Sequence, residues 1–229
     1  MNGARRPPIV RDAGDVALLV IGAVVFTACA LLIDKHHVSR AETDVFRAVN
    51  DPTLAPFVLV WPIMQLGNFL VVPVAAAVAA AFRRWRLALT LLIAGVVAYE
   101  VAGEVVRRLF ERGRPPALLD DVHIRGTAAG GLGFVSGHVA VITALAVVAW
   151  PYVGRTGRVI AIVAPVVVAV ARMYVGAHFP LDVVGGAAVG LVVGAAVRLA
   201  LGHPATGRPR DVSDRVPAQS RRAKPWPNA

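Results

Sequence analysis

The sequence predicts an all-α polytopic membrane protein, a bundle of six transmembrane helices. Three observations carry this. Of 229 residues, 57% are hydrophobic, against roughly 45–50% in soluble domains. The mean hydropathy is +0.65. The apolar residues fall in runs bounded by charge, near the roughly 20 residues that a bilayer core of about 30 Å requires. These runs are Val16 to Ile33, Val58 to Phe82, Leu87 to Val106, Val139 to Val153, Val159 to Tyr174 and Val183 to Leu201. They divide the chain into a cytoplasmic N-terminal segment, 1–15, a membrane domain, 16–202, and a basic cytoplasmic tail, 203–229.

The first run follows Arg5, Arg6 and Arg11, and Ala28-Cys29-Ala30 resembles a signal cleavage site. The run is longer than a usual signal core, so it reads as a retained helix. Cys29 is the only cysteine, which excludes an internal disulfide or a cysteine-ligated metal. Pro62 and Pro73 loosen the boundaries of the second run, and the fourth and fifth runs are short. Between runs, basic residues mark the cytoplasmic side. Arg83, Arg84 and Arg86 fall in one inner loop, Arg155 and Arg158 in the next, and six more basic residues in the tail. Both termini therefore face the cytoplasm of a plasma-membrane protein. The tail, with prolines and small polar residues, is expected to be disordered. The formal charge of +10 is spent on orientation or on anionic head groups, and no nucleic-acid partner is expected.

One outer connection breaks the rule, because Arg107, Arg108, Arg112, Arg114 and Arg125 lie where positive charge is disfavoured. Some of these can pair with Glu100, Glu104, Glu111, Asp120 or Asp121, and Glu104 stands one helical turn from Arg108. The others ask for an anion. Two further segments reach the same membrane face. They are Phe134-Val135-Ser136-Gly137-His138, opening the fourth run, and Ala171 to Asp182, joining the fifth to the sixth.

The chemistry of the three segments is coherent. Arg107, Arg114 and Arg172 present donor forks that match phosphoryl oxygens. Ser136 and Gly137 open a helix, whose free N–H groups favour an anion and whose glycine permits close approach. His138 and His178 titrate near neutrality, which suits a nucleophile and a general acid. Asp182 follows His178 by one helical turn, and Pro180 suits the first turn of that helix, so the carboxylate can orient the imidazole. No carboxylate cluster with metal-ligand spacing accompanies them, so no metal or other cofactor is expected.

Together the segments resemble the signature of the type-2 phosphatidic acid phosphatase superfamily, which includes lipid phosphatases, polyprenyl diphosphate phosphatases, glucose-6-phosphatase and vanadium haloperoxidases. Its pattern is Lys, six residues, Arg-Pro; Pro-Ser-Gly-His; and Ser-Arg, five residues, His, three residues, Asp. This chain has Arg107 to Arg114-Pro115, Val135-Ser136-Gly137-His138, and Ala171-Arg172 to His178 to Asp182, with every spacing kept. The resemblance implies that His178 attacks phosphorus, Asp182 orients it and His138 protonates the leaving oxygen. It implies that Arg107, Arg114, Arg172, Ser136 and Gly137 hold the phosphoryl group, without a metal. Arg107 replaces lysine, Val135 replaces proline and Ala171 replaces serine. None of these removes a reacting group.

The expected function is hydrolysis of a membrane lipid phosphate or diphosphate of the phosphatidate type, through a phosphohistidine, at the extracytoplasmic face. The alternatives are an undecaprenyl or decaprenyl diphosphate phosphatase in envelope carrier recycling, and a non-catalytic phospholipid-binding membrane protein. Retention of both histidines and Asp182 counts against the last.

Overall fold

The structure, a computed structural model, describes residues 8–51, 53, 56–126 and 130–205. The arginines Arg5 and Arg6, and the tail beyond Ala205 for which disorder is expected, lie outside the described residues. The protein is helical, with ten α-helices among the described residues: α1 Ala13–Leu32, α2 Arg40–Val49, α3 Phe57–Gln65, α4 Val71–Ala81, α5 Trp85–Glu100, α6 Arg107–Phe110, α7 Pro115–Leu118, α8 Gly137–Ala149, α9 Arg155–Tyr174 and α10 Pro180–Leu201. A π-helical stretch, Val101–Val106, joins α5 to α6, making one continuous helix, Trp85–Phe110.

Among the described residues four helices are long and apolar enough to cross a membrane: α1, Trp85–Phe110, α9 and α10. The apolar helices Gly137–Tyr152 and Val71–Ala81 are shorter. The expectation of a single helix from Val58 to Phe82 is therefore corrected, because the chain breaks into α3 and α4. Neither proline makes the break. Pro62 lies inside α3 and Pro73 sits in the first turn of α4, where a missing N–H costs nothing. The interruption falls at Gly67 and Asn68, whose side chain accepts from Leu70 N (3.0 Å) and donates to Gln65 Oε1 (3.1 Å). Gly67 is required there, since a Cβ would stand 2.7 Å from the His138 carbonyl oxygen.

The core lies where α8 meets α10. Gly186, Gly190 and Gly194 recur every fourth residue, and a Cβ on any of them would meet Ser136 O at 2.5 Å, Ala140 O at 2.5 Å or Val147 Cβ at 2.7 Å. Small residues at this spacing let helix backbones approach in a bilayer, where apolar burial alone gives no preference for protein over lipid. α1 lies along the other side of α10, with Gly22 against the Ala188 backbone. The outward faces of α1 and α9 stay apolar, with Val20, Val24, Ile160 and Val166 more than half exposed. Those faces suit hydrocarbon. Cys29 is buried with a free thiol.

At the opposite end of α10 from its start, the first and last described segments are tied together. β1, Ile9–Val10, pairs antiparallel with β2, His203–Pro204. Asp15, fully buried, is ion-paired with Arg198 Nη2 (2.7 Å) and meets His203 Nε2 (3.0 Å). Arg11 caps α10 by donating to Leu199 O (2.6 Å) and Ala200 O (3.0 Å). Asp15 and His203 are both buried. Removing one partner from such a buried pair costs about 3–5 kcal/mol.

Candidate active site

The three motif segments converge at the other end of the bundle. α8 begins at Gly137 with Ser136 as its N-cap, and α10 begins at Pro180 with Phe179 as its N-cap. Ser136 N donates to Asp182 O (2.9 Å), which locks the two helix starts to each other. The segment before α8 also crosses the first motif. Gly133 N donates to Arg112 O (2.7 Å) and Gly113 bridges Leu132. A Cβ on Gly133 would collide with Gly113 O at 2.9 Å, so a glycine is needed at the crossing.

The three expected phosphate-binding arginines surround this junction. Arg107 follows the π-helical stretch, a distortion common at functional sites. Its Nε donates to Val135 O (3.2 Å), while Arg114 Nε donates to Leu132 O (3.2 Å). Arg172, buried at the end of α9, has the Met64 sulfur at 3.1 Å from Nη1. Among the described residues none of the three is in an ion pair. The remaining arginines of the cluster are accounted for otherwise. Arg108 pairs with Glu104, as the helical spacing predicts, and Glu111 pairs with Lys35 (2.9 Å) instead. Gly137 matters for a reason beyond ligand approach: its missing side chain leaves room for Arg107, whose Nη2 would lie 3.1 Å from a Cβ there.

His178 is 1% exposed. Its Nδ1 faces Asp182 Oδ2 at 3.7 Å, longer than a hydrogen bond. Burial, then the charges of Arg172, Arg114 and Arg107, holds the imidazole well below its usual pKa range, against an opposite pull from the Gly133 backbone. His178, Arg107, Arg114 and Arg172 all lie close enough to act electrostatically on His138. Asp182 is fixed on both oxygens. Phe179 N donates to Oδ2 (2.8 Å) and Arg112 Nη1 to Oδ1 (2.9 Å).

Two residues near the reacting groups were not expected there. Arg112 is fully buried between Asp182 and Glu42, holding Glu42 through Nη2–Oε2 (2.6 Å) and Nη1–Oε1 (3.1 Å). Glu42 also accepts from Leu181 N (3.0 Å). The sequence shows Ser39-Arg40-Ala41-Glu42, a capping-box pattern. The Ser39 hydroxyl does accept from Glu42 N (3.2 Å), but the glutamate side chain turns to Arg112.

A polar cavity of about 440 Å³ adjoins the junction, lined by Arg114, Arg172 and Arg125 together with Gln65 and Trp61. Arg125 stacks on Tyr174, 4.0 Å from the ring centroid, and donates to the Tyr174 carbonyl and to Asn50 O (3.1 Å). It forms no ion pair among the described residues.

A model of the PAP2 superfamily matches residues 83–203, more than half of the chain and all three motif segments. The chain belongs to the PAP2 superfamily. An undecaprenyl-diphosphatase of Sulfolobus acidocaldarius is 29% identical over 115 residues, covering 50% of this chain and 55% of that relative. The match thus spans about half the length of that curated relative. Among solved structures, Aquifex aeolicus LpxE superposes with a TM-score of 0.61 at 23% identity, covering 72% of this chain and 98% of that one. The first transmembrane PAP2-type phosphatidylglycerolphosphate phosphatase from Bacillus subtilis gives 0.55 at 21% identity, covering 80% and 94%. Both likenesses are of fold. The resemblance carried by the three motifs therefore holds at the level of family, and the PAP2 match begins at Arg83, after Glu42 and α2.

Proposed function

We propose that the protein hydrolyses a phosphate ester or anhydride borne by a membrane lipid, through a phosphohistidine and without a metal. The observation that carries this is the set of three arginines with no carboxylate partner among the described residues, gathered around His138 and His178. Three positive charges complement a phosphoryl dianion, and guanidinium forks supply the charge stabilisation that a metal supplies elsewhere. Asp182, the carboxylate beside His178, is already committed to Arg112 and to the Phe179 amide.

In the first step His178 Nε2 forms a bond to phosphorus as the phosphorus–oxygen bond to the lipid breaks. The leaving oxygen takes a proton from His138, and the His178 ring acquires positive charge that Asp182 faces. Water then attacks phosphorus, the nitrogen–phosphorus bond breaks, and His138 recovers a proton. Arg107, Arg114 and Arg172, with the Ser136-Gly137 helix start, hold the phosphoryl oxygens throughout. The site opens to the extracytoplasmic side of the plasma membrane and both termini face the cytoplasm. The basic tail, 203–229, is cytoplasmic.

A second reading, hydrolysis of a polyprenyl diphosphate, is favoured by Arg125, a third guanidinium in the cavity that Arg114 and Arg172 share. A leaving phosphate would give it a partner.

The test is phosphate release by purified protein from phosphatidate, a polyprenyl diphosphate and para-nitrophenyl phosphate. Turnover of at least one lipid is expected to survive excess chelator and to be inhibited by vanadate, with no labelled histidine in His178→Ala. Loss of turnover in chelator, restored by magnesium, would falsify the metal-free mechanism. For the second reading, Arg125→Gln should lower kcat/KM on the diphosphate about tenfold, one lost charge-assisted contact, and leave the monoester within about twofold. Equal losses on both would reduce Arg125 to a loop brace.

A further inference from the structure

We propose that Glu42 and Arg112 are positioning residues for the reaction: Glu42 draws on the charge of Arg112, and Asp182 thereby keeps enough negative charge to stabilise His178 as it becomes positive. This rests on the reading of His178 as nucleophile. Three observations lead to it.

The first is a count of buried charge. One guanidinium, Arg112, sits between two carboxylates, Glu42 and Asp182, all three less than 7% exposed. The cluster therefore carries one uncancelled negative charge beside His178. An isolated buried charge is costly unless something answers it. Arg107 and Arg114 act on Asp182 across the resting site, and once a phosphoryl group occupies them the imidazolium of the phosphohistidine is the charge that answers the surplus.

The second is how the guanidinium is shared. Its Nη2 is given to Glu42 alone at 2.6 Å, while Nη1 is divided between Glu42 Oε1 at 3.1 Å and Asp182 Oδ1 at 2.9 Å. Glu42 takes both prongs and Asp182 half of one. With Glu42 neutral, the whole charge of Arg112 would fall on Asp182, and the field reaching His178 would drop.

The third is that α2 is held where this needs it. Phe46 of α2 is fully buried and stacks on Phe179 at 5.2 Å between centroids, and Arg112 lies over the same Phe179 ring at 4.8 Å. Leu181 N donates to Glu42 Oε1 at 3.0 Å, joining α2 to the first turn of α10. Glu42 precedes the residues that match the PAP2 superfamily, so this chain completes its site from an outer helix beyond the matched segment.

Single-turnover phosphoenzyme formation and steady-state turnover of para-nitrophenyl phosphate by the full chain would test the idea. Glu42→Gln keeps the shape and removes the charge, and Glu42→Asp keeps the charge and shortens the reach. We expect Glu42→Gln to slow phosphoenzyme formation and kcat by about tenfold, a moderate loss of charge stabilisation in a dry site. Inhibition by inorganic phosphate, which reads the arginine cradle, should stay within about twofold, and Glu42→Asp should retain more rate than Glu42→Gln. In an Asp182→Asn background Glu42→Gln should cost less than about twofold, because its effect passes through Asp182. A faster Gln than Asp variant, or an equal loss in both backgrounds, would mean that Glu42 only braces the fold. If Glu42→Gln does not accumulate in membranes, Glu42→Asp is compared across the two backgrounds and judged in the same way. Labelled histidine persisting in His178→Ala would instead overturn the nucleophile assignment on which the proposal stands, independently of Glu42.

Discussion

His178 is held between two opposed fields: the arginine cradle on its reacting side and the Asp182 cluster behind Nδ1. Burial and the cradle disfavour its proton, so the imidazole is neutral in the free protein at pH 6.5, the middle of an ordinary histidine titration. The sign for activity follows directly. A nucleophile with a lowered pKa stays deprotonated, hence competent, to lower pH than an ordinary histidine. The acid limb of kcat/KM, which reports the free enzyme, should then fall below pH 6.5 once the substrate's own second ionisation near pH 6 is divided out. Bound phosphate dianion opposes the cradle, so the corresponding limb of kcat should move towards higher pH. A kcat/KM limb above pH 7, measured with para-nitrophenyl phosphate, would mean that the arginines do not act on this ring in the free enzyme.

At the level of elements, the site depends on how closely α8 and α10 approach. Gly186 stands so near the Ser136 carbonyl, 2.5 Å from where its Cβ would be, that Gly186→Ala must push backbone from backbone. Overpacking of this kind costs about 1–3 kcal/mol, and here it also strains the Ser136 N–Asp182 O bond. We expect a lower melting temperature in detergent and at least about a tenfold loss of kcat/KM. Gly103 has open space around its Cβ position, so Gly103→Ala should leave activity unchanged, with a gain of up to about 1 kcal/mol in helix propensity. Equal effects of the two changes would remove the α8–α10 contact from the account. The four-residue glycine spacing is plain in the sequence, as are the three motifs, whose chemistry sits at fixed intervals within single segments. The break at Gly67 and Asn68 was hidden by the apolar residues around it, which read as one long run. Glu42 was hidden for another reason. Its partner Arg112 lies on a separate element 70 residues away, no periodicity connects them, and a glutamate after Ser39 reads as ordinary helix capping.

For the whole molecule, the open question is which membrane face carries the site. The inner-loop arginines expected from the sequence do gather at one end of the bundle. Arg84 donates to Tyr152 O (3.1 Å), Arg86 to Gly202 O (3.4 Å) and Arg11 to the last turn of α10. The starts of α8 and α10, with the arginine cradle, lie at the other end. Positive residues are retained on the cytoplasmic side of short loops, so we propose that the first end is cytoplasmic and that the cradle opens outward, an anion bound there compensating for arginines placed against that bias. Single cysteines in a Cys29→Ala background decide this. Asp121, exposed near the site, and Thr156, exposed at the start of α9, lie at the two ends. In intact cells an impermeant maleimide should label Asp121→Cys and leave Thr156→Cys unlabelled until the membrane is permeabilised. The reverse pattern would place the site in the cytoplasm and confine its substrates to inner-leaflet lipids. Labelling of both in intact cells would mean that the ends of α9 and of the 119–126 loop share a face, which the direction of α9 through the bundle does not allow.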